Sequence, residues 1–207
     1  MNNDVRRHAP SAARNREPIL QVLRRHLPAQ GLVLEVASGS GEHIIHFAAA
    51  LSPGLAFQPS DPDTDARASI DAWAVSGNLR QVRPALALDA ASAVWPITRA
   101  DMILCINMIH IAPWAAATGL FGGAARILPA DGVLFLYGPY LRGGRHTAAS
   151  NEAFDLDLRA RNRAWGVRDL EAVAELAASH GFAPPVIEPM PANNLSLIFT
   201  RRSGPAS

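Results

Sequence analysis

The stretch "LVLEVASGSGEH", residues 32–43, constrains this chain more than any other. Four apolar residues and one carboxylate, Glu35, run into a turn with glycine at 39 and 41, and a helical pattern follows at once. Strand, tight turn and helix in that order form the opening of a parallel βαβ unit. Glycine at alternate positions gives the backbone access to positive φ and lets a ligand come close to it. Taken alone, a Gly-Ser-Gly turn serves equally well as a plain strand-to-helix connection.

The unit recurs in kind along the chain. Apolar runs over 32–37, 55–60, 85–88, 102–107 and 133–137 read as strands. Helical spacing follows the glycines until Pro53 and covers 64–76, 114–128, 152–163 and 169–180. An N-terminal helix is expected with Asn15 as its cap, Pro18 in its first turn and Pro28 as its stop. The glycine-rich stretch 138–151 reads as a long loop, and 186–189 pairs with 195–200 as a hairpin. This alternation predicts an α/β fold, a doubly wound and mostly parallel sheet with an antiparallel strand near the C-terminus. One domain is expected over 1–207, with an N-terminal lid or helix over 1–30, a loop and helix insertion at the active site over 138–165, and a tail over 202–207.

Composition narrows the partners. A formal charge of +1 over 207 residues gives no general pull toward nucleic acid or anionic membrane. The N-terminal arginines Arg6, Arg7, Arg14, Arg16, Arg24 and Arg25 have no aromatic residues between them, so they read as a solvated helix face, without stacking platforms for a single strand. Cys105 is the only cysteine, which excludes a disulfide framework and suits a reducing cytoplasm. No apolar signal core and no run approaching about 20 apolar residues is present, so a soluble cytoplasmic protein is expected.

The turn discriminates among cofactors. A dinucleotide fingerprint needs a third small residue where Ile44 stands, and a phosphate loop needs a lysine followed by serine or threonine, which is missing. Glu35 would repel a phosphate and attract a cation. A nucleoside bearing a sulfonium and an amino group satisfies both conditions, and Ile44 with Glu35 disfavours a nicotinamide dehydrogenase. The stretch resembles the first motif of class I S-adenosylmethionine-dependent methyltransferases, acidic-x-Gly-x-Gly-x-Gly, with Ala37 in the place of the first glycine.

That resemblance implies a Rossmann-like class I fold and a set of cofactor contacts. Glu35, Ala37, Ser38, Gly39 and Gly41 would form the seat. Asp61 with Pro62, 22 residues after Gly39, would hold the ribose hydroxyls, and Asp89 with Ala90 would face the adenine amino group. Asn107 with Met108 would lie by the methionyl part, His43 would reach its carboxylate, and Arg14 with Asn15 would fold over the site. Each has a structural alternative: Asp61 as the cap of the helix near Thr64, Asn15 as a cap only, and helix amides in place of His43.

Longer strings narrow the likeness. "RNREPIL" (14–20), "LEVASGSGEH" (34–43), "QPSD" (58–61), "NMIHIAPW" (107–114), "YGPY" (137–140), "SNEAFD" (150–155), "GVRDL" (166–170) and "MPANN" (190–194) are similar to the methyltransferase-like 26 family across almost the whole chain. That family's substrate is unassigned. Methyl transfer is an in-line displacement governed by positioning, and a base is needed only when the nucleophile must lose a proton early. His110 is the candidate base, with Tyr140 as a second, although His110 could instead brace the turn before Pro113. Trp114, Asn151, Asn193 and Asn194 are candidate acceptor contacts; packing and turn formation are the alternatives for them. His43 and His46 lack a third ligand, and no metal is expected. The sequence therefore points to a methyltransferase that converts S-adenosylmethionine to S-adenosylhomocysteine on an unidentified small-molecule acceptor, as a monomer or homodimer without nucleic-acid or membrane partners. The alternative is a non-catalytic protein of the same fold that binds the cofactor or a protein partner.

Overall fold

The computed structural model describes residues 4–203. One sheet has the strand order β2-β1-β3-β4-β9-β8, made from β1 (Gly31–Val36), β2 (Leu55–Ser60), β3 (Met102–Ile106), β4 (Val133–Gly138), β8 (Val186–Met190) and β9 (Asn194–Thr200). The first four in that order run parallel, and β9 and β8 are antiparallel to their neighbours. The chain winds outward from β1 to β2 on one side and from β3 to β4 on the other. The winding thus reverses between β1 and β3, whose carboxyl ends are where ligands bind in such sheets.

Side-chain alternation divides each central strand between two cores, which is why these strands read as unbroken apolar runs. Ile103 and Cys105 of β3 pack with α4 (Trp114–Ile127) and α6 (Leu170–Ser179) on one face. Met102, Leu104 and Ile106 pack with α1 (Pro10–Leu23) and α2 (Glu42–Ala50) on the other. Glu35 shares the parity of Val33, so its carboxylate belongs to the α1 and α2 face.

Most expected elements are present. The helix over Thr64–Ser76, α3, has both expected ends, and Asp63 caps it by accepting from the Asp65 amide at 2.9 Å. The C-terminal hairpin pairs as expected, and Gly181 closes α6 at φ 84°. No helix among the described residues is long and apolar enough to cross a membrane.

Three expectations change. Helix α1 begins at Pro10, so Asn15 lies inside it and is no cap, and Pro18 is interior. Pro10 supplies the pre-set first turn, and buried Ile19, Leu20, Val22 and Leu23 hold the helix across the hydrogen bond that Pro18 cannot make. Residues 85–88 form no strand, because Pro59 has no amide to donate to that ladder; single bridges Phe57↔Val82 and Ser60↔Leu86 remain. The supposed loop 138–151 carries β5 (Tyr140–Arg142) and β6 (Arg145–His146), which join β7 (Arg168–Asp169) in a small sheet beside α5 (Ala149–Arg161). Turn residues Gly143 and Gly144, at φ 54° and 73°, made that hairpin look like loop. Residues 204–207 of the expected tail lie outside the described residues.

Helix α4 meets the loop after residue 88 through a glycine. A Cβ at Gly119 would stand 2.1 Å from the Ala90 carbonyl oxygen. Gly119→Ala should therefore lower stability, because the clash with fixed backbone, about 1–3 kcal/mol, exceeds the gain of up to about 1 kcal/mol in helix propensity. Thermal unfolding followed by circular dichroism would show a fall of several degrees.

Candidate functional site

Alternate left-handed residues build the turn after β1: Ala37 at φ 59°, Gly39 at 57° and Gly41 at 89°. Gly41 has no room for a side chain, since its Cβ would stand 2.9 Å from Ile70. Gly39 has nothing within 4 Å of that position, so the turn faces open space there. The end of β2 holds the turn in place. The Ser38 amide donates to the Ser60 carbonyl at 2.8 Å, and the Gly39 amide donates to Asp61 Oδ2 at 3.0 Å. Asp61 Oδ1 accepts from the Asp63 amide at 2.9 Å, so this carboxylate ties three segments together.

Two cavities lie side by side at the carboxyl edge on the α1 face. The smaller, about 300 Å³, is walled by Glu35, Ala37, Ser38, Gly39, His43 and Met108, with Ala9 and Ala12 above them. The larger, about 540 Å³, is walled by Arg14, Asn15, Tyr137, Asn151, Phe154 and Asn194. Ser11 and Asn107 line both, so the cavities meet at these two residues. Three of the six non-glycine residues with positive φ among the described residues, Ala37, Asn107 and Ala192, line these cavities. Backbone strain of this kind, about 1–3 kcal/mol per residue, gathers at functional sites.

The electrostatics of the smaller cavity centre on Glu35. It is 1% exposed, its Oε2 has no hydrogen-bond partner, and burial pushes its carboxyl up to about 8. His43 hydrogen-bonds Asn15 Oδ1 at 2.7 Å, and burial pushes its imidazole down to about 4, which keeps it neutral.

Six other expected residues, His110, Tyr140, Trp114, Asp89, Ala90 and Asn193, line neither cavity. His110 is fully buried and lines neither cavity. Its Nδ1 accepts from the Arg168 amide at 3.2 Å, so the proton sits on Nε2, which has no partner. Burial pushes this histidine down to about 3. Tyr140 packs edge-on against it at 5.0 Å, in the core of α4 and α6 on the opposite face of the sheet. Trp114 starts α4 under the Arg168 guanidinium, 5.7 Å from its ring centre. Asp89 is exposed and caps its own turn through the Ala91 amide, and Ala90 meets Gly119. Asn193 points its amide at Ser150 Oγ, 3.4 Å away.

Sequence reasoning passed over Ser11, Tyr137 and Phe154. Tyr137 was read only as strand interior, although the last residues of a parallel strand reach the carboxyl edge. Phe154 stands three residues after Asn151, a spacing that puts both on one face of α5.

Comparison with known proteins follows this geometry. Residues 6–201 match the family described as Protein of unknown function (DUF938). The fold is similar to that of an O-methyltransferase family protein from Burkholderia thailandensis, with TM-score 0.79 and 20% identity over 94% of this chain and 58% of that one. It is similar to human N-acetylserotonin methyltransferase in complex with S-adenosylmethionine, with TM-score 0.75 and 13% identity over 93% of this chain and 53% of that one. YcgJ from Bacillus subtilis gives TM-score 0.68 and 14% identity over 90% of this chain and 98% of that one. The chain thus spans little more than half the length of the first two proteins. At these identities the likeness establishes the fold, a class I methyltransferase fold with its mostly parallel sheet and antiparallel C-terminal strand. By the match over residues 6–201, the chain belongs to the DUF938 family.

Proposed function

We propose that this protein is an S-adenosylmethionine-dependent methyltransferase acting on a small-molecule acceptor. One observation carries the reading: a cavity at the glycine turn, containing a buried carboxylate with a free oxygen, lies directly against a second cavity large enough for an organic acceptor, with Ser11 and Asn107 in the walls of both. The orphaned Glu35 Oε2 suits the ammonium group of the methionyl part. Ala37, Ser38, Gly39 and Gly41 would cradle the cofactor; Asp61 and Pro62 would take the ribose edge, and Asp89 and Ala90 the adenine edge. Asn107, Met108 and His43 would border the methionyl part. The bound cofactor would supply an electrophilic methyl group on a sulfonium.

The chain's own contribution is positioning. Asn107, strained at φ 61°, stands where the two cavities meet and can orient the acceptor's nucleophilic atom. His110 and Tyr140 support this segment from behind, since a Cβ at Gly138 would stand 2.5 Å from His110 Nε2 and 3.1 Å from Asn107 Oδ1. In this reading His110 is a brace, and Tyr137 is the tyrosine that lines the acceptor cavity. Of the expected lid over 1–30, residues 1–3 lie outside the described residues, and Ala9, Ser11 and Ala12 would cover the smaller cavity. The likeness to the methyltransferase-like 26 family supports the same assignment, the balanced charge supports the absence of a nucleic-acid partner, and the lone cysteine suits a reducing cytoplasm. A binding-only role is favoured by one fact: neither His110 nor Tyr140 lines a cavity. Formation of S-adenosylhomocysteine in a screen of phenols, thiols, amines and carboxylates separates the two readings.

Glu35 makes the cofactor reading testable through pH. Its carboxyl titrates near 8 in the free protein, so below that pH it must give up a proton before it can pair with an ammonium. Affinity for S-adenosylhomocysteine should rise with pH by up to about tenfold per unit below 8 and level off above it. Calorimetry should show this slope vanish in Glu35→Gln.

Two further variants separate positioning from chemistry. Asp61→Ala removes acceptors for the ribose and for the Gly39 amide, and should weaken S-adenosylhomocysteine binding at least about tenfold. His110→Leu leaves the Arg168 amide without its acceptor in the interior, a loss of about 1–3 kcal/mol. It should lower the melting temperature and cofactor affinity together while the pH–rate profile keeps its shape. Loss of turnover with unchanged affinity would mark His110 as a base instead.

A further inference from the structure

The larger cavity has a charge pattern of its own. Arg14 is the only charged side chain in its wall, and no aspartate or glutamate lines it among the described residues. Four of the five other N-terminal arginines are engaged elsewhere, Arg6 with Asp4, Arg7 with Asp63, Arg25 with Glu188, and Arg24 with the Ala50 carbonyl, and the fifth, Arg16, lines neither cavity. Arg14 has no acidic partner among the described residues, and it lines the larger cavity without lining the smaller one. A guanidinium at the wall of a cavity matches a carboxylate, which it binds through two parallel hydrogen bonds.

The opposite wall adds to this. Ser150 and Asn151, in the first turn of α5, line the cavity, and the helix begins at Ala148 with no side-chain cap. Uncapped first-turn amides favour an anion; Glu152 in the same turn is exposed and is not part of the wall. Asn151 is 4% exposed, and its Nδ2 is held by Thr147 Oγ1 at 3.1 Å and by the Asn193 carbonyl at 2.9 Å. A carbonyl can only accept, so the amide orientation is fixed and the atom left for a ligand is Oδ1, an acceptor. Phe154 and Pro18 give the cavity an apolar side.

We infer that the larger cavity takes a small organic carboxylate carrying a hydroxyl or amino group, with Arg14 as counter-ion to the carboxylate and Asn151 Oδ1 accepting from the second group. The assignment rests on the methyltransferase reading above, and it gives that reading a substrate class. It also moves Arg14 from the cofactor to the acceptor.

The test uses the full chain saturated with S-adenosylhomocysteine, with 4-hydroxybenzoate and salicylate compared by calorimetry against 4-hydroxybenzamide and salicylamide. Each carboxylate should bind at least about tenfold more tightly than its neutral amide, the scale of one charge-assisted pair. Arg14→Gln should erase that preference while leaving affinity for S-adenosylhomocysteine within about threefold, a change small beside the tenfold scale of one interaction. Equal binding of acid and amide, no binding of either, or a preference that survives Arg14→Gln overturns the inference. So does tighter binding of phenyl phosphate than of the carboxylates, or an Arg14→Gln protein that loses S-adenosylhomocysteine instead. Failure of the cofactor reading appears separately, as no binding of S-adenosylhomocysteine by the wild-type chain before any probe is added, and it takes this inference with it.

Discussion

The carboxyl edge of this sheet depends on how the chain leaves β1. Three left-handed residues in five positions leave amides and carbonyls that no helix or ladder can satisfy, and β2 supplies the partners. The Ser60 hydroxyl donates to the Glu35 carbonyl at 2.7 Å, the Ser60 carbonyl accepts from Ser38, and Asp61 takes the Gly39 amide. Ser69 on α3 then donates to the Ser40 carbonyl at 2.9 Å and accepts from the Arg7 amide at 2.8 Å, which adds the N-terminal segment to the same assembly. The cavity at the turn is a by-product of this hydrogen-bond closure, held open because Gly39 presents no side chain to it.

The parts legible in the sequence were those governed by local chemistry. Hydrophobic runs bounded by glycine and proline marked the parallel strands, and helical spacing marked α3 from Thr64, whose cap is Asp63 and not Asp61. Glu35 within an apolar strand marked a buried carboxyl, 1% exposed and pushed up to about 8 by that burial. The less legible parts depend on tertiary context. Asn15 has the chemistry of a cap, but Pro10 starts the helix earlier and Asn15 turns inward to His43. Residues 85–88 carry a strand pattern that Pro59 of the facing strand defeats.

His110 shows where spacing alone misleads. Three residues past Asn107, it lies at the correct edge of the sheet, yet the 3-10 turn over 108–110 sends its ring to the α4 and α6 face, away from both cavities. Period and position told which edge the residue occupies; which face it occupies was decided by a turn whose geometry rests on the left-handed Asn107. Tyr137 and Tyr140 divide in the same way, one on each face of the sheet, three residues apart in "YGPY".

Arg168 ties the two segments behind the site into a single unit. Its Nε donates to the Ile109 carbonyl at 2.8 Å, and its Nη2 donates to the Ala112 carbonyl at 2.6 Å and the Ala164 carbonyl at 2.9 Å. A planar fork can serve three acceptors set at fixed angles, and a lysine ammonium at the same place would have to abandon at least one. The segments 109–112 and 164–168 therefore cannot vary in length or conformation independently of each other. An insertion in either would strand carbonyls in the other, so remodelling of this back wall, by natural drift or in the laboratory, has to change both segments together.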